Sequence, residues 1–309
     1  METINISKKR FDTLKKYEIP DYVCNTEGVL YILPTKENWH NKNKLLKKLY
    51  LTSGMSFGNK LWTINSLIDS RNKINIDEIV FPEKIATVNN EIVGFTMPLI
   101  ESINLTTALK SKKISNEQKI KYLKQIGQIL NQMKKVREYT DITDFYINDL
   151  HESNFIVDKN DNVKLIDIDS CKINGNQIFS SKYLATGKFI NEVYKYQKDE
   201  FKQVNKYQKY FYDPFNSFIP DENTDLYCYI IVILNFLYED NINDFTIAQF
   251  YEYLEYLNKI GLSKEILDIF EKIAISTPND NPYELLDEIK PIIGRSNHIV
   301  YTYIKNKSI

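Results

Sequence analysis

The stretch 147–169, I-N-D-L-H-E-S-N-F-I-V-D-K-N-D-N-V-K-L-I-D-I-D, constrains this chain more than any other. Two short apolar runs, 155–157 and 163–166, flank Asp158-Lys159-Asn160-Asp161-Asn162. Asn and Asp favour turns there because their side chains bond nearby backbone and tolerate positive φ. The pattern predicts a β-hairpin. A hairpin returns the end of its second strand to the start of its first, so Asn154 and Asp167 should meet at the open end, with Asp149 in the loop just upstream.

Two carboxylates and an amide then share one small volume. Oxygen-only ligands suit Mg²⁺, a hard cation that takes a few protein ligands and completes its shell with phosphates and water. Such a focus is what phosphoryl transfer needs. Taken singly, each residue is an ordinary turn or cap residue; their joint spacing is what carries the reading. Asp158, Asn160 and Asn162 alternate as in an EF-hand loop, but Val163 stands at the loop's glycine position and the flanks read as strands. Asp167-x-Asp169 also matches a metal motif of glycosyltransferases, which would leave Asp149 and Asn154 without a purpose.

The 309 residues suffice for a large core, in one two-lobed domain or two small ones. A net charge of -1 creates no global field, which argues against nucleic acid or an anionic membrane as the main partner. Cys24, Cys171 and Cys228 are odd in number and lack metal-ligand spacing, as expected of reduced thiols in a cytoplasmic protein. The first ten residues contain no apolar core, so no signal peptide is expected. The longest apolar run, 226–238, is shorter than the roughly 20 residues a bilayer requires and reads as a buried helix.

From 22 to 100 the pattern favours strands, at 28–33, 45–51, 79–88 and 91–100, the last two joined by an Asn89-Asn90 turn. One helix is predicted among them, 60–69, with Leu61, Ile64 and Ile68 on one face. Beyond residue 100 the chain becomes helical. Ser115-Asn116-Glu117-Gln118 reads as a capping box before an apolar face of Ile120, Leu123, Ile126, Leu130 and Met133. Later helices are predicted at 246–258 with Gly261 as the stop, at 263–274, and from Asn281-Pro282 onward.

The spacing of Asp149-Leu150, Asn154 and Asp167 resembles the protein-kinase-like superfamily, whose catalytic loop reads His-x-Asp-Leu-x-x-x-Asn and whose metal-binding Asp closes the following hairpin. His151 makes the loop Asp-Leu-His-x-x-Asn, closer to atypical and aminoglycoside- or choline-kinase-like members. The resemblance implies catalytic roles for Asp149, His151 and Asn154. Asp149 would orient and deprotonate an acceptor hydroxyl, His151 would donate to the γ-phosphate, and Asn154 and Asp167 would be the Mg²⁺ ligands. Lys44-Leu45-Leu46-Lys47 is similar to the Val-Ala-Ile-Lys strand, which implies Lys47 over the ATP phosphates, with Lys48 on the opposite face as the alternative. Gly28 stands for the Gly-rich loop. The segment 94–100 is similar to the strand entering the interlobe hinge, which implies adenine held by the Pro98 carbonyl and the Ile100 N–H. Asn223-Thr224-Asp225-Leu226 is similar to the start of the F helix, with Asp225 accepting hydrogen bonds from the catalytic-loop backbone.

The chain also departs from that pattern. Helix 60–69 has no Glu to pair with the strand lysine, Ile147-Asn148 replaces His-Arg, no Ala-Pro-Glu follows 181–186, and no Arg precedes Pro282. With Asn148 in place of the Arg before the catalytic Asp, a phosphate in the activation segment loses its usual partner. The segment 170–223 reads as carrying an insertion, with Ser180, Ser181 and Thr186 as candidate autophosphorylation sites.

The expectation is an α+β, bilobal, protein-kinase-like fold in one domain, with a small β-rich N-lobe over 1–100 and a larger, mainly helical C-lobe over 101–309. The expected activity is ATP- and Mg²⁺-dependent transfer to Ser or Thr hydroxyls of a protein substrate. The alternatives are a small-molecule phosphotransferase and a pseudokinase scaffold.

Overall fold

A computed structural model describes residues 2–19, 28–33, 44–50, 55–175, 221–275 and 280–295. The fold is α+β. Its first part is β1 (Thr3–Asn5), α1 (Lys8–Thr13), a 3₁₀ turn (Leu14–Tyr17), β2 (Gly28–Ile32), β3 (Lys44–Leu49), α2 (Met55–Ile74), β4 (Lys84–Val88) and β5 (Glu91–Pro98). The five strands form one sheet in the order β1-β4-β5-β3-β2, antiparallel except where β1 runs parallel to β4. Asn89 and Asn90 both have positive φ, 51° and 68°, the two-residue turn whose twist matches the flanking strands.

Strand alternation sorts the side chains onto two apolar faces. Leu30, Leu45, Leu49, Ile85, Phe95 and Met97 pack against Ile64 and Ile68 of α2. Val29, Tyr31, Leu46, Ala86 and Val88 pack on the other side with Ile6 and Leu14. Lys47 shares its face with Leu45 and Leu49, so it points under the sheet toward α2, and Lys48 reaches the Phe11 ring on the far side.

The predicted strand 79–88 is only half a strand. Pro82 lacks a donor, and the residues before it turn to another partner: Val80 N–H donates to the Leu165 carbonyl at 2.9 Å and Leu165 N–H to the Glu78 carbonyl at 2.8 Å. Helix α2 is longer than the predicted 60–69, and its C-terminal Leu67 and Ile74 join the larger core of the helical part.

That part comprises β6 (Ser102–Asn104), α3 (Leu105–Lys110), α4 (Asn116–Tyr139), β7 (Phe145–Tyr146), β8 (Phe155–Asp158), β9 (Val163–Leu165), β10 (Lys172–Ile173), α5 (Glu222–Tyr238), α6 (Ile247–Lys259) and α7 (Lys264–Glu271). Short 3₁₀ segments lie at Glu152–Asn154, Ile168–Ser170, Ile242–Asp244, Lys272–Ile275 and Pro282–Ile292. The last is a 3₁₀ rather than an α-helix, with Asn281 as its N-cap. All five residues of the predicted α4 face are buried, and the Ser115 hydroxyl accepts from Gln118 N–H. Helix α5 is apolar all round and passes through the core, as such a composition requires. No helix among the described residues is long and apolar enough to cross a membrane. Cys171 and Cys228 are buried thiols, whereas Cys24 and the segment 176–220, including Ser180, Ser181 and Thr186, lie outside the described residues.

Gly94 on β5 shows how closely the central strands meet. A Cβ there would lie 1.9 Å from the Lys47 carbonyl oxygen, whereas a Cβ at Gly58 on α2 would meet nothing within 4 Å. Gly94→Ala is expected to destabilise by roughly 1–3 kcal/mol through overpacking. Gly58→Ala should stabilise by up to about 1 kcal/mol through helix propensity. Urea unfolding of both variants checks the pair, and equal midpoints would contradict this strand packing.

Candidate functional site

The site is built from the helical core outward. Asp221 caps α5 through a capping box with Thr224, two residues earlier than the sequence pattern indicated, which puts Asp225 inside the first turn. Asp225 is buried, and its two oxygens accept from Ile147 N–H at 2.8 Å and Asn148 N–H at 3.0 Å. Asn148 has φ 66°, and its side-chain amide donates to the Ser170 carbonyl at 3.0 Å. One carboxylate thus fixes the backbone that leads directly into Asp149. Burial pushes the Asp225 carboxyl up to about 7, against the lowering effect of its two backbone hydrogen bonds and of Arg137.

The predicted hairpin is β8 and β9, paired Phe155 to Leu165 and Val157 to Val163. Its turn is closed by Asp158, whose Oδ1 accepts from Asn160 N–H at 2.8 Å and Asn162 N–H at 3.0 Å. At the open end Ile166 N–H donates to the Asn154 carbonyl at 2.8 Å, so Asn154 and the residues leading into Asp167 lie side by side. The Asn154 amide nitrogen donates to the Asp149 carbonyl at 2.8 Å, which fixes the amide plane and presents Oδ1 on the other side. Asp167 follows in the left-handed region, φ 59° and ψ 44°, a conformation that Asp tolerates better than most residues.

Beneath the sheet four charges meet. Lys47 Nζ binds the Asp167 carboxylate and lies 3.0 Å from Asp169 Oδ2. Lys60 Nζ, from α2, lies 3.3 Å from Asp169 Oδ1 and 3.5 Å from the Ser170 hydroxyl. Lys47, Lys60 and Asp169 are all buried. Burial pushes the Asp169 carboxyl up, and the two lysines pull it down. Among the described residues the two lysines and two aspartates balance in charge, the condition under which buried charges are tolerated.

Comparison of the sequence with protein-family models and with curated proteins returns no match. The chemistry of the site therefore rests on its geometry.

Lys47 meets Asp167, and Asn154 joins the Asp149 carbonyl to the backbone that leads into Asp167. His151 is buried, with Nε2 3.6 Å from Asp149 Oδ2, so it packs against Asp149 and does not face solvent. Asp149 keeps 34% of its side chain exposed. Gly28 begins β2 opposite Leu49, where a Cβ would meet the Lys48 carbonyl at 2.4 Å, so strand packing alone requires a glycine there. Pro98 ends β5 opposite Lys44, and the Ile100 carbonyl accepts from the Ser102 hydroxyl at 3.2 Å. None of Gly28, Pro98 and Ile100 joins the charged cluster. Lys60 and Asp169 are the residues that sequence reasoning missed. The absence of a Glu from the predicted helix is the signal for Asp169, since the strand lysine then needs a carboxylate from elsewhere; no such signal marks Lys60.

Among the described residues no group of three His, Cys, Asp or Glu side chains is arranged to hold a metal ion by itself. Asn154 Oδ1 and the Asp167 carboxylate are nonetheless hard oxygen donors from adjacent backbone, and they fit a cation that takes its remaining ligands from phosphate and water.

The raised Asp225 carboxyl carries a pH signature. An unfolded Asp ionises near roughly 4, so this group's contribution to stability is full below that pH and is lost as pH rises toward about 7. Asp225→Asn cannot ionise. The unfolding free energy of the natural chain relative to Asp225→Asn should fall across this window, with a slope of up to about 1.4 kcal/mol per pH unit. Parallel pH dependences would show that Asp225 is not shifted.

Proposed function

We propose that this chain is an ATP- and Mg²⁺-dependent phosphotransferase of protein-kinase-like type that acts on Ser or Thr hydroxyls of a protein. In this reading the sheet with α2 serves as the small lobe and the helical part as the large one. The observation that carries it is the convergence of Lys47 from β3 with Asp167 at the hairpin's open end, beside Asn154 and Asp149 on a loop that Asp225 holds. A lysine, a carboxylate and an amide oxygen together supply what a metal-bound polyphosphate needs.

The roles follow from exposure and chemistry. Asp149, whose side chain is partly exposed, would accept the proton of an acceptor hydroxyl and orient its oxygen. His151, packed against it, would restrict the Asp149 side chain. Asn154 Oδ1 and Asp167 would hold the cation, and Lys47 would bind phosphate oxygens as a point charge. Bound Mg²⁺ neutralises charge that builds on the transferring phosphoryl group. The neighbourhood of Asp225 and Arg137 would keep Asp149 in place: Arg137 donates to the Phe145 carbonyl at 3.0 Å and lies over the Tyr146 ring.

Incubation with γ-labelled ATP and Mg²⁺ should put label on a generic protein substrate. Asp149→Ala and Asp167→Ala should each lower the rate by about 10²-fold or more, and chelation of Mg²⁺ should abolish it. Label transferred only to small alcohols would point to a small-molecule kinase. Absence of both transfer and any nucleotide-dependent rise in Tm would leave a scaffold.

A further inference from the structure

The cluster under the sheet contains one more ion pair than a lysine poised over phosphates requires. Lys47 has two carboxylates within reach, and these differ in environment. Asp167 retains 18% of its side-chain surface, whereas Asp169 retains 1% and sits between Lys47 and Lys60. Asp167 is therefore the carboxylate that can turn toward an incoming cation, and Asp169 is the one that stays. When Asp167 turns away, Lys47 keeps a fixed partner. Lys60 matters because a buried carboxylate shared by two lysines neutralises neither completely, so Lys47 retains positive charge for an anion.

We infer that Asp169 and Lys60 form a counter-ion unit that positions Lys47, with the helix contributing the cation and the hairpin end the carboxylate. Both are positioning residues: they act through Lys47 and touch no reacting atom. The geometry stands by itself, while the consequence for ATP rests on the phosphotransferase reading. The unit also couples α2 to the hairpin end, because Lys60 bonds Asp169 and Ser170 together.

The test uses the whole chain and two readouts. The first, without nucleotide, is the rate at which an amine-acylating ester modifies Lys47, followed by peptide mass spectrometry. The near-isosteric Asp169→Asn and Lys60→Met, checked for cooperative melting, should each change that rate several-fold. The double variant Asp169→Ala with Lys60→Glu returns a carboxylate from the helix side and should restore it. Wild-type labelling in both folded single variants, or no recovery in the double variant, overturns the inference. The second readout is phosphate transfer: Asp169→Asn should raise KM for ATP about tenfold or more, with a smaller change in kcat. An equal fall in kcat with KM unchanged would overturn positioning. Altered Lys47 labelling with no transfer by any form would keep the counter-ion unit and remove the phosphotransferase reading.

Discussion

A single buried carboxylate organises the functional half of this molecule. Asp225 sits in the first turn of a helix that runs through the core, and it accepts two backbone N–H groups from a loop that has no regular partner of its own. Buried N–H groups left unsatisfied cost roughly 1–3 kcal/mol each, so the helix and the loop require one another. Asn148 takes positive φ, which Asn tolerates, and its N–H and side-chain N–H are both held there. Asp149 then inherits its position from residues that never face solvent.

Beneath the sheet the logic is electrostatic. Two lysines and two aspartates, delivered by a strand, a helix and the end of a hairpin, meet where none could be buried alone. Removing any one of them leaves an unbalanced buried charge, so each member favours the placement of the others. This makes sheet, helix and hairpin mutually dependent beyond their apolar contacts.

Local chemistry made much of this legible in the sequence. The Asn-rich turn between 158 and 162, the Asn89-Asn90 turn and the Ser115 cap are decided by residues within four positions of one another. Alternation separated Lys47 from Lys48 for the same reason. Lys60 was not legible, because its carboxylate lies more than 100 residues away and no periodicity links them. The strand predicted over 79–88 is cut short because Glu78 and Val80 bond the hairpin at Leu165, a distant choice that outweighs local strand preference. The three-residue β1 was too short to register, and its pairing with β4 is likewise non-local.

The bonds between Val80, Glu78 and Leu165 give α2 an unequal pair of ends. Its C-terminal end, four residues before Glu78, is clamped to the hairpin by main-chain hydrogen bonds and by Ile74 in the larger core. Lys60 lies 14 residues nearer the N-terminus, a lever arm of roughly 21 Å at 1.5 Å per residue. Pivoting about the clamped end by only about 5° would carry the lysine roughly 2 Å, enough to undo an ion contact. A change of tilt of that size would therefore separate Lys60 from Asp169, so the ion pair requires the helix and the sheet to keep one angle.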